Sequence, residues 1–143
     1  MPARLLASNA RQARKLRVLT WSFSALAVAA CVWPFFGDPA AFILAPIGVL
    51  SVAALHVYTT RYVTKLELDG DMIVVHTAAF GSPVHRFAVS RIGPRVYHSG
   101  PGRYGTYSAD DAPWITLPIE GVRWPFVIDA QIEVLDLARI KAL

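Results

Sequence analysis

Residues 18–37, VLTWSFSALAVAACVWPFFG, carry no charge, and after Asp38 the next twenty-two residues, 39–60, carry none either. A helix of about 20 residues is about 30 Å long, which matches the hydrocarbon core of a bilayer. Only Gly37, Asp38 and Pro39 separate the two runs. Glycine and proline break a helix and the carboxylate prefers water, so the spacing predicts two antiparallel helices joined by a tight turn. A chain of 143 residues is too short to bury two helices that are apolar on every side within a soluble core. With 55% hydrophobic and 17% charged residues, the composition also points to lipid as the solvent of these segments.

Charge is distributed unevenly around the runs. Residues 1–37 contain Arg4, Arg11, Arg14, Lys15 and Arg17 and no acid, whereas residues 61–143 carry nine basic and nine acidic side chains. With Asp38 the balance is 5 − 1 + 0 = +4, the formal net charge. A nucleic-acid binder would spread its charge over a folded face, which excludes that class here. A basic arm next to the first apolar run instead reads as a topology signal that holds the N-terminus on the positive side, and two spans return the C-terminal part to that side. The arm is expected to stay attached, because hydrophobicity continues past Cys31 for a full second span. Trp21, Trp33, Tyr58 and Tyr62 fall near the run ends, where amphipathic rings settle at headgroup depth. Lys15, Arg17 and Arg61 can snorkel beside them. Small residues recur at helical spacing, Ala25 and Ala29 on the first helix and Ala41, Ala45 and Gly48 on the second, and are predicted to form packing faces towards each other or a partner's helix.

At Arg61 the period of the pattern changes. Tyr62, Thr64, Leu66 and Leu68 alternate with Val63, Lys65, Glu67 and Asp69, as in a strand with one wet face. DGD at 69–71 signals a hairpin, and MIVVHTAAF, VHRFAV, WITLPI and WPFVID read as further strands, with RVYH as one more candidate. The run 99–113, SGPGRYGTYSADDAP, has no periodicity and reads as a long surface loop. Asp136 is placed to cap a short C-terminal helix. The predicted fold is therefore a membrane α-helical hairpin of two spans followed by a small α+β domain, an antiparallel five- or six-stranded sheet with a C-terminal helix. The predicted divisions are a basic arm at 1–17, the hairpin at 18–60 and a membrane-surface β domain at 61–143.

No residue pattern points to catalysis. Of His56, His76, His85 and His98, no two stand three or four apart, so neither a metal site nor a metal cofactor is expected. A tight turn at 81–83 would set His76 opposite Ala88 and His85 opposite Ala79. GPGRYG lacks the Lys-Ser/Thr ending of a phosphate loop, and the adjacent Asp110 and Asp111 are expected to be solvated charges. His56, inside the second run but about one turn from Arg61, is expected at the interface. The expected partners are lipids and other membrane subunits, with no nucleic acid and no small-molecule substrate. In the long loop, Arg103, Tyr104 and Tyr107, with Trp114 after it, are of types enriched at protein interfaces.

The basic N-terminus, the two short-looped helices, RYVTKLELDGD, FAVSRIGP and the closing WITLPIEGVRWPFVIDAQIEVLD together resemble the mitochondrial two-helix transmembrane-protein family whose human members are numbered seventy, one hundred eighty-six and two hundred twenty-three. In that resemblance Arg123, Phe126, Val127, Ile128, Asp129 and Asp136 fall in the closing segment, although Ala130-Gln131 stands where the family has glycine. It implies a non-catalytic accessory subunit or assembly factor of an oxidative-phosphorylation complex in the mitochondrial inner membrane, with the β domain facing the matrix. YVTKLELDGD and SRI are also similar to bacterial two-helix proteins with pleckstrin-homology-like domains, which implies a bacterial inner-membrane adaptor.

Overall fold

The structure is a computed structural model and describes residues 3–33, 41–98, 114–129 and 134–143. Helix α1 covers Ala10–Val32 and α2 covers Ala41–Arg61; both are long and apolar enough to cross a membrane, and they lie side by side. The turn expected at Gly37-Asp38-Pro39 and the loop with Arg103, Tyr104, Tyr107, Asp110 and Asp111 lie outside the described residues.

α1 begins at Ala10 and not at residue 18, because Asn9 supplies its N-cap: its side-chain oxygen accepts from the Gln12 amide at 3.1 Å. The first two turns are amphipathic. Ala13 and Leu16 are buried, while Arg14, Lys15 and Arg17 point into solvent. Residues 3–17 are thus no separate arm. Their first part is strand β1 (Arg4–Ser8), with Leu6 and Ala7 buried, and the rest is the first stretch of α1.

Eight strands, not five or six, are present among the described residues, and they form two antiparallel sheets instead of one. The remaining strands are β2 (Val63–Asp69), β3 (Met72–Thr77), β4 (Val84–Ala88), β5 (Val96–His98), β6 (Trp114–Leu117), β7 (Phe126–Asp129) and β8 (Val134–Leu135). The larger sheet has the order β4-β3-β2-β1-β8 and the smaller β5-β6-β7. β1 pairs with β2 on one side and β8 on the other, so the N-terminal segment is the strand that joins β8 to the rest of the larger sheet. The Leu6 carbonyl accepts from the Asp136 amide at 2.8 Å and the Arg4 guanidinium meets the Asp136 carboxylate at 3.2 Å, which ties both chain ends to one side of the helix pair.

The β2–β3 hairpin follows its turn signal: Asp69 pairs with Met72 around Gly70, whose φ of 59° lies in the left-handed region open to glycine. The β3–β4 connection does not follow the tight turn at 81–83. His76 pairs with Val84 and His85 with Val75, and Ala88 pairs with Met72. Residues 78–83 loop out, with Gly81 and Ser82 at positive φ, and the loop is closed by the Thr77 amide donating to the Pro83 carbonyl at 3.2 Å. Two consecutive left-handed residues before a proline extend the turn, and this moves the register of every later pair.

The sheets pack face to face over one core. Leu6, Leu66, Ile73 and Val75 come from the larger sheet, Ile115, Leu117, Phe126 and Ile128 from the smaller. Helix α3 (Leu137–Ala142), capped by Asp136 accepting from the Arg139 amide at 3.1 Å, adds the fully buried Ile140.

Candidate functional site

The apolar helices meet the β domain at Tyr62, the residue where α2 ends and β2 starts. Its amide continues the helix by donating to the Tyr58 carbonyl at 2.9 Å, and its carbonyl accepts from the Ala78 amide at 3.0 Å. The phenol is 3% exposed. It accepts from the Asn9 side-chain amide at 2.9 Å and donates to the Asp129 carboxylate at 3.0 Å. Asn9 is therefore bonded three ways, since its amide also donates to the Thr64 carbonyl at 2.8 Å while its side-chain oxygen caps α1. The cluster joins the first turn of α1, the α2–β2 junction and the end of β7. Burial, then the nearby Asp129 charge, pushes the Tyr62 phenol well above its ordinary value, which keeps it a neutral donor. Leu16, Tyr62 and Ala78 pack together beneath it. Both buried polar bonds and apolar contact thus hold the helices to the sheets at this junction.

Of the residues expected at headgroup depth, Lys15, Arg17, Trp21, Trp33 and Tyr58 are all exposed on the helices. Arg61 reaches towards the β domain. Its guanidinium lies 5.7 Å from the centroid of Phe126 and donates to the Trp124 carbonyl at 3.3 Å, because the chain turns into the β domain at that point. Tyr58 and Tyr62 have ring centroids 5.6 Å apart. Phe80, at the tip of the β3–β4 loop, meets Trp21 edge to face at 5.7 Å, so a β-domain loop lies against α1. Beside this contact a groove of about 470 Å³ runs between the helices, bounded by Arg17, Trp21, Val49, Ala53, His56 and Phe80.

The small-residue positions divide between the contact of the two helices and their outer surface. Gly48 does face α1: a Cβ there would stand 3.3 Å from the Ala27 Cα and 3.9 Å from the Ala30 Cβ. The α1 residues opposite it are thus Ala27 and Ala30, while Ala25 and Ala29 are exposed and Ala45 is half-buried; Ala41 opens α2. Residues two apart on a helix differ by about 200° in direction, so Ala25 stands on nearly the opposite face from Ala27, the outward face that the pattern offers to a partner's helix.

His76 sits 3.1 Å from Glu67, which also pairs with Lys65 at 2.8 Å; this is a cross-strand charge cluster on the solvent face. His85 packs its ring against Phe87 and Phe126, with centroids at 6.2 and 5.7 Å. Among the described residues no group of three or more His, Cys, Asp or Glu is placed to hold a metal ion. Trp114 begins β6 and is 38% exposed.

Asn9 and Phe80 were not singled out by sequence reasoning. For Asn9 a signal exists, since Asn before a helical run is a capping residue, but hydrophobicity alone places the helix start at residue 18 and overlooks the amphipathic turns before it. Phe80 carries no local signal, because its place against α1 depends on the β3–β4 register. In comparisons with protein-family models, curated proteins and solved structures, nothing matches this chain.

Proposed function

We propose that this chain is a two-span membrane protein that serves as a non-catalytic accessory subunit or assembly factor of a larger membrane complex. One observation carries the reading: the most apolar stretches of α1 and α2 are only 11% and 6% buried within the chain. Phe42, Ile43, Leu50, Leu26 and Val28 are each more than 60% exposed. That much continuous apolar surface calls for lipid or partner helices. Both chain ends lie with the sheets at one end of the helix pair, which fits a protein with both termini on one side of the bilayer. The resemblance described above makes an inner-membrane oxidative-phosphorylation complex, of the respiratory chain or the ATP synthase, the assembly to test first, with the β domain on the matrix side.

A second reading, a bacterial inner-membrane adaptor with a pleckstrin-homology-like domain, is favoured by the self-sufficiency of the β domain. Its two sheets share one core, and its edge strands are short.

Native gel migration in mild detergent separates the two. An accessory subunit or assembly factor migrates within a large complex, and its depletion lowers that complex. Migration as a monomer or small homo-oligomer, with all respiratory complexes at normal abundance after depletion, supports the adaptor. Insertion is tested separately by alkaline carbonate extraction, which should leave the chain in the membrane. Protease added to intact mitoplasts or spheroplasts should spare a C-terminal tag.

A further inference from the structure

The groove beside Phe80 changes character along its length. Its mouth, level with the start of the β domain, carries Arg17 and His56; its floor runs between the helices over Val49, Val52 and Ala53. From Arg17 to Ser24, also on its wall, is two helical turns or about 10 Å. In the bilayer orientation proposed above, on which this inference rests, the groove occupies the outermost part of the hydrocarbon core and opens at headgroup depth.

Its charge has one sign. No acidic residue lines it, residues 1–37 contain no acid, and Arg17 makes no hydrogen bond or ion pair among the described residues. A partner helix seated there would leave this cation facing apolar surface at the membrane boundary, which is costly. A phosphodiester would instead give it a counter-charge and, being bidentate, would suit the guanidinium fork. We propose that the groove binds one anionic phospholipid of the surrounding bilayer, with its phosphate on Arg17 beside His56 and an acyl chain between α1 and α2. The Trp21–Phe80 edge contact walls one side, so the bound lipid touches both a helix and the β3–β4 loop. Lipid occupancy thereby supports the seating of the β domain on the membrane.

The test uses the full chain reconstituted in vesicles, with Trp33, Trp114 and Trp124 changed to Phe so that Trp21 reports alone. Phosphatidylglycerol or phosphatidylcholine brominated on the acyl chain is added at equal mole fraction. The anionic lipid should quench Trp21 with about five-fold higher apparent association, the size expected for one cation at an anionic surface. Arg17→Gln should abolish that preference, while Arg14→Gln, on α1 but outside the groove, should keep it. Ala53→Phe, which fills the floor, should reduce quenching by both lipids. Native mass spectrometry of the unsubstituted chain from a mixed-lipid micelle should retain one phosphatidylglycerol, and Arg17→Gln should lose it. Equal quenching by the two lipids, or a preference that survives Arg17→Gln, overturns the site. No quenching by either lipid in a chain that resists carbonate extraction also overturns it, in favour of a partner helix in the groove. Release by carbonate extraction overturns instead the bilayer reading beneath it.

Discussion

Replacing Tyr62 with Phe keeps the buried ring and removes one oxygen that holds two bonds across three elements. The bond donated to the Asp129 carboxylate belongs to the class worth about 1.5–3 kcal/mol, and the bond accepted from Asn9 to the class worth about 1 kcal/mol. Asn9 is only 7% exposed, so its side-chain N–H has little access to water once its acceptor is gone. The expected loss is about 3 kcal/mol, or roughly a hundred-fold in the folding equilibrium. Asn9→Ala should cost about 2 kcal/mol, from the lost cap and the lost bond to Tyr62. In the double variant the costs should fall short of additivity by about 1 kcal/mol, because the Asn9–Tyr62 bond is counted in each single change. Urea unfolding in detergent micelles, followed by tryptophan fluorescence, measures all three. Alkaline pH supplies an independent check. Because burial and Asp129 raise the Tyr62 phenol in the folded chain, deprotonation is harder there than in the unfolded chain. The stability this group contributes is complete below about pH 10 and is lost above it, by at most about 1.4 kcal/mol per pH unit. Tyr62→Phe should therefore show a shallower alkaline loss than the parent chain. A cost below about 0.5 kcal/mol, or an unchanged alkaline limb, would refute the reasoning that this cluster couples the helices to the sheets.

Three further perturbations address other parts of the molecule. Gly48→Ala asks Ala27 to yield by a few tenths of an ångström and should be nearly tolerated, whereas Gly48→Leu should weaken the helix pair by about 1–3 kcal/mol in SDS-induced unfolding; equal, negligible effects would place Gly48 against lipid. Thr77 is fully buried and its hydroxyl has no hydrogen-bond partner among the described residues, so Thr77→Val should leave the thermal midpoint unchanged or raise stability by up to about 1 kcal/mol, and a clear drop would reveal a bond to water. The Lys65 ammonium, with His76 adding to it, holds the Glu67 carboxyl below its ordinary value, so the stability it contributes is present above about pH 4 and lost on further acidification. Glu67→Gln should flatten the acid limb of a stability–pH curve, and an unchanged limb would mean that the cluster contributes nothing to folding.

The parts of this protein legible before any coordinates were those specified by near neighbours in the chain. The long apolar character of residues 18–33 and 42–60, the glycine turn at Gly70 and the Asp136 cap each depend on a few adjacent side chains, and each is present in the fold; the alternation holds from Leu66 to Asp69 but not at Val63, which is buried in the core because the β2–β3 register shifts between Val63 and Lys65. Much of the rest depended on pairing between distant residues. RLLAS is too short and too weakly alternating to declare itself a strand; it becomes one because β2, about sixty residues later, and β8, about 130 later, present unpaired edges on either side of it. The division into two sheets and the β3–β4 register likewise follow from which faces close a shared core and from two positive-φ residues at 81 and 82. The junction of Asn9, Tyr62 and Asp129 is the clearest case. Local sequence marks Asn9 as a cap and Tyr62 as a run-end aromatic, but the tertiary fold alone brings the Asn9 amide and the Asp129 carboxylate within 3.0 Å of one phenol oxygen.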